Sequence, residues 1–183
     1  DHASSAASIQ LESARIHGNV NLDGANLAAA DQDGNSLTAD RLRADGSVFM
    51  REHFEAAGAI RLAGAVIDGN LEMDAAKLAS ADTSGAALLA DGLRVGGAVF
   101  LRDGFQAAGA VRVLVSAIGA SLDMGGAGIS DTGDDGVALL ADGLRGGGSV
   151  FLNDFPAGGS VGLVRAAIEG NLSLRGAHLT RAD

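Results

Sequence analysis

Three carboxylates, Glu52, Asp103 and Asp154, recur at intervals of 51 residues, and each stands three residues beyond a phenylalanine, Phe49, Phe100 or Phe151. Paired carboxyls are the equipment of sugar-cleaving enzymes, one donating a proton while the other acts as base or nucleophile. An aromatic row beside them suits a sugar face, a partner protein or a second rod. A catalytic site, however, is one place in a molecule and should break a repeat, whereas these residues follow one. The spacing therefore predicts a solvated carboxylate ladder and no catalytic residue. With the phenylalanines it outlines an interaction surface of Phe49, Phe100, Phe151, Glu52, Asp103 and Asp154.

Other chemistry-bearing residues form weaker patterns. Asp31 and Asp33, Asp82, and Asp131, Asp134 and Asp135 stand near glycines, a setting calcium favours, but they do not align and no distal glutamate completes a loop. Turn formation is the expected role. His2, His17, His53 and His178 occupy unmatched positions, so no metal site is expected. Gly96-Gly97 and Gly146-Gly147-Gly148 lack the lysine and the strand-to-helix setting of a phosphate cradle, and they read as corner glycines. No cofactor is implied.

The background composition bounds the fold. In 183 residues there are 28 glycines, one proline, six phenylalanines and no Trp, Tyr or Cys. Few aromatics mean a narrow core filled by Val, Leu, Ile and Ala. A net charge of -10 disfavours direct nucleic-acid binding, which needs a basic stripe. Without cysteine there are no disulfides, and the redox compartment stays open. No apolar run approaches the roughly 18 residues of a transmembrane helix. The chain starts at Asp1 without a signal-peptide pattern, so it reads as a processed chain or an excised segment.

The repeat itself is explicit. Residues 87–105, ALLADGLRVGGAVFLRDGF, return as ALLADGLRGGGSVFLNDF at 138–155 and as SLTADRLRADGSVFMREHF at 36–54. Between them lie 9–27, 59–78, 110–129 and 160–179, so the 51-residue period is two units of about 25 and seven units fill the chain. Connectors alternate in length: eight residues after odd units (28–35, 79–86, 130–137) and four after even ones (55–58, 106–109, 156–159). Apolar residues alternate over short bursts such as Leu71 and Met73 or Val99 and Leu101, a strand signature. Glycines such as Gly92, Gly96 and Gly97 would each cost a helix about 1 kcal/mol. The prediction is an all-β chain, a right-handed parallel β-helix of seven coils, over residues 9–179 with short tails at 1–8 and 180–183. Coils about 4.8 Å apart would make a rod about 30 to 35 Å long.

Alternation also assigns sides. Val48, Val99 and Val150, Met50, Leu101 and Leu152 point inward with Val20, Leu71, Leu122, Leu172 and their partners, which sends Phe49, Phe100 and Phe151 outward. Asp40, Asp91 and Asp142 align, as do Arg43, Arg94 and Arg145. Like charges one coil apart would repel, and skipping a coil relieves this.

The pieces ADRLR (39–43), ADGLR (90–94 and 141–145), GANLA (24–28) and GAHLT (176–180) resemble the five-residue A-(D/N)-L-x-x period of pentapeptide-repeat proteins. That resemblance implies a right-handed quadrilateral β-helix with the central Leu or Phe inside. The longer text ADGLxxGGxVFLRDGF is similar to bacterial repeat proteins, some labelled membrane-associated oxidoreductases. The expected role is a non-enzymatic scaffold or protein-interaction module that binds another protein or itself, end to end or through the phenylalanine stripe. Two alternatives stand beside it. Acidic pentapeptide-repeat rods imitate DNA in a type II topoisomerase groove, and a carbohydrate-binding or polysaccharide-active β-helix would use the outward face.

Overall fold

A computed structural model describes residues 8–130 and 136–180 and contains, among them, 28 short strands and no helix long and apolar enough to cross a membrane. The strands form four parallel sheets of seven, and every fourth strand belongs to the same sheet. One circuit of the chain thus contributes one strand to each sheet, and seven circuits make a β-solenoid. The fourth coil is typical: Ala86–Leu89 lies in the first sheet, Arg94–Val95 in the second, Val99–Phe100 in the third and Gln106–Ala108 in the fourth.

The four-residue stretches read from sequence as connectors turn out to be the fourth side. Glu55–Ala56, Gln106–Ala108 and Pro156–Ala157 are strands that pair with Lys77–Leu78, Gly128–Ser130 and His178–Leu179. Alanine and glycine in EAAG, QAAG and PAGG hide the strand, because the pairing partners, not local propensity, hold it extended. The eight-residue connectors end in bulges at the start of the first sheet, between Asn35 and Leu37, Ala86 and Leu88, and Val137 and Leu139.

The core explains why the period is two coils. At the corner before the fourth sheet, odd coils place Ala25, Ala76, Ala127 and Ala177, while even coils place Phe54, Phe105 and Phe155, each fully buried. On the fourth sheet the sizes reverse: Leu27, Leu78, Ile129 and Leu179 alternate with Ala56, Ala107 and Ala157. The turn from first to second sheet repeats the device, with Leu62 then Ala65 in the third coil and Ala90 then Leu93 in the fourth, all buried. At these corners and on the fourth sheet each large side chain therefore sits between small ones above and below, whereas the first and third sheets stack Leu, Ile and Val coil upon coil. A phenylalanine at that corner in every coil would overfill the narrow core at a spacing of about 4.8 Å.

Candidate functional site

The outward phenylalanines do share one column. Register on the third sheet runs Asn21, Phe49, Glu72, Phe100, Asp123, Phe151, Ser173, so carboxylates of the odd coils separate the rings. Two of the rings are also covered. The guanidinium carbon of Arg51 stands 4.4 Å from the centre of Phe49, and that of Arg102 stands 4.3 Å from Phe100. Arg51 is held in place by Asp23 at 2.8 Å and Glu72 at 2.7 Å. Arg102 is held by Asp74 and Asp123, each at 3.3 Å, and lies 3.4 Å from Asp103.

Position two beyond the ring is decisive, because residues two apart in a strand face the same way. In the sixth coil that position is Asn153, whose side-chain oxygen accepts from the Ser173 hydroxyl at 2.5 Å and the Arg175 amide at 3.2 Å. The two anchors are gone as well, with Gly125 and Ser173 where the fourth coil has Asp74 and Asp123 as neighbours. Phe151 is half-buried like the other two rings, and among the described residues no guanidinium lies over it. The apolar stripe expected from the sequence is thus a ladder of ring, guanidinium and carboxylate that ends in one ring without a guanidinium among the described residues. The motif F-x-R, present at 49–51 and 100–102 and replaced by F-x-N at 151–153, is the signal that would have revealed it.

Glu52, Asp103 and Asp154 sit on the turn leading to the fourth sheet, exposed, each with a left-handed backbone (φ 53, 54 and 48). They share an edge with the phenylalanine column. Asp40, Asp91 and Asp142 have structural work instead. Each accepts the backbone amide of the next coil, from Ala63 at 3.0 Å, Leu114 at 3.2 Å and Val164 at 2.8 Å. Asp40 and Asp91 also bind Arg61 at 2.8 Å and Arg112 at 2.6 Å. Opposite charges in alternate coils therefore interleave, which goes further than the avoidance of like charges inferred from sequence.

The connector aspartates close their own turns. Asp31 accepts the amides of Asp33 at 3.0 Å and Asn35 at 2.8 Å, and Asp82 accepts those of Ser84 at 2.8 Å and Ala86 at 3.1 Å. Asp131, Asp134, Asp135 and His2 lie outside the described residues. His17 meets Asp45 at 2.9 Å on the exposed surface, and among the described residues no three His, Asp or Glu side chains are placed to share a metal ion. A corner ladder that the sequence reading missed runs alongside: Asn19 accepts from the Ser47 amide at 2.8 Å, Ser47 from Asn70 at 3.0 Å, and Asn70 from Ala98 at 3.0 Å.

These bonds shift acidities. Hydrogen bonds from the Arg51 side chain hold the Asp23 carboxyl below its ordinary value of 3.8, and the Asn35 amide does the same for Asp31. A carboxylate depressed in the folded state adds stability above its unfolded value and loses it as pH falls through the folded one. Asp74 has the opposite sign, because burial pushes it up despite Arg102. Urea midpoints are expected to fall as the pH drops below about 4, and Asp23→Asn should lower the neutral midpoint while flattening that acid limb. An acid limb of unchanged slope in Asp23→Asn would show that the Arg51 pair is not what titrates.

Comparison with protein-family models, with curated proteins and with solved structures yields no match to this chain.

Proposed function

We propose that the chain is a non-catalytic β-solenoid scaffold that binds polypeptide, a second copy of itself included, where the third sheet meets the seventh coil. The observation carrying this reading is the break in the ladder: among the described residues no guanidinium covers Phe151, and the inward-facing Leu172 and Leu174 of the next coil are 46% and 41% exposed at the open end of the stack. An aromatic ring without that cover, next to the apolar end of the stack, favours docking of another apolar surface.

The two other readings have less to support them. A DNA imitation needs unneutralised carboxylates at high density, but Arg51, Arg61, Arg102 and Arg112 each pair with one or more of them. A polysaccharide-cleaving site needs carboxyls gathered across a cleft, whereas Glu52, Asp103 and Asp154 follow the repeat along exposed turns.

Sedimentation velocity from micromolar to millimolar protein tests the reading. The weight-average mass is expected to rise with concentration and to stay monomeric in Phe151→Asp, with circular dichroism unchanged. A wild-type chain at monomer mass throughout would end the self-association reading, and equal association of Phe151→Asp would move it to another face.

A further inference from the structure

The second sheet carries a different surface. Its outward column reads Arg15, Arg43, Val66, Arg94, Ala117, Arg145, Ala167. Arg43, Arg94 and Arg145 are exposed, and among the described residues none of the three has an ion pair, although acidic residues outnumber Lys and Arg 23 to 13. Arg61 and Arg112 on the first sheet and Arg51 and Arg102 just after the third are consumed in ion pairs; these three of the second sheet are not.

The surroundings keep them available. Two residues beyond each outward position the chain places Asp45, Asp68, Gly96, Gly119, Gly147 and Glu169 in successive coils, so carboxylates are missing where the fourth to sixth coils pass. A shallow groove of about 700 Å³ runs over this stretch, lined by Arg94, Arg145 and Arg165, by Val66, Ala117 and Ala167, and by Asp68 and Glu169.

We infer that this groove docks an extended acidic peptide segment in polyproline II conformation, with a carboxylate at every third residue. Charge and pitch both match such a segment. Arginines two coils apart are spaced about 9.6 Å, twice the strand separation, and three residues of polyproline II advance about 9.3 Å and return to the same face. A β-strand brings side chains back to one face every 6.6 to 6.8 Å or so, out of step with the arginines. Val66, Ala117 and Ala167 between the arginines suit prolyl and alkyl groups, which favours a peptide over an acidic polysaccharide. At physiological salt the Debye length of about 8 Å screens the rest of the anionic chain, so the local guanidinium field governs. This inference is independent of the Phe151 surface.

The test is fluorescence anisotropy of a labelled peptide of four Glu-Pro-Pro repeats against the full chain, beside a peptide of equal composition with its glutamates clustered. The repeat peptide is expected to bind more tightly than the clustered one and to weaken with added salt. Arg94→Gln and Arg145→Gln should each weaken it about tenfold, the scale of a charge-assisted hydrogen bond, and Arg145→Glu more. Arg175→Gln, on the turn after the third sheet, should leave binding unchanged. Absence of binding, equal affinity for the clustered peptide, or indifference to Arg94→Gln and Arg145→Gln would overturn the inference. A polyuronate that binds tighter than the peptide and is lost in the same variants would overturn it in favour of a sugar ligand.

Discussion

Phe105→Ala is expected to lower unfolding stability by about 3 to 5 kcal/mol, measured by urea denaturation. The ring is fully buried at the corner before the fourth sheet, between Ala76 of the coil below and Ala127 of the coil above. Its removal leaves three alanines in succession and a void spanning three layers. The more telling experiment adds Ala107→Leu to Phe105→Ala, returning most of the lost volume to the same coil. Ala107 lies between Leu78 and Ile129, so the new leucine would press on large side chains on both sides. The double variant should therefore regain little. Recovery of more than half the loss would mean that volume per coil matters and offset between coils does not.

Gly119→Val should be similarly damaging for a different reason. Gly119 turns the corner after the second sheet, where any Cβ would be driven into the carbonyl group of Gly96 in the coil before. The obstacle is backbone, not a side chain that could swing aside. Gly119 donates to Val95 at 2.8 Å and Gly147 to Ile118 at 2.8 Å, so the coils cannot part without breaking the ladder. Overpacking of this kind costs about 1 to 3 kcal/mol, and more where backbone must move. Ala117→Val, outward on the same sheet in a column where Val66 already stands, is the control and should stay within about 0.5 kcal/mol of the parent. A Gly119→Val chain as stable as that control would show that the corner is looser than its geometry.

Several features were legible because they repeat. Alternation places Val48, Val99, Val150, Met50, Leu101 and Leu152 inside, and they are buried. Phe49, Phe100 and Phe151 were placed outward in one column, and register puts them there. The covering of two of those rings escaped, since it depends on Arg51 and Arg102 finding carboxylates in the coils before and after. The fourth sheet escaped for a related reason: Ala56 and Ala157 are extended only because Leu27, Leu78, Ile129 and Leu179 pair with them.

What the residues decide on their own is everything carried by period: seven coils, the inward and outward sides of each strand, and the two-coil rhythm of charge and size. Such features are local, since a side chain's direction follows from its place in a strand and an equal circuit returns like residues to like positions. Only the stacked structure decides which arginines are spent and which stay free. Arg102 and Arg94 are both two-coil repeats in the same unit, and nothing nearby in sequence separates them. The difference lies in the layers above and below: Arg102 meets Asp74 and Asp123, while Arg94 meets Val66 and Ala117. Ion pairing depends on distance across coils, and that distance exists only once the coils are stacked.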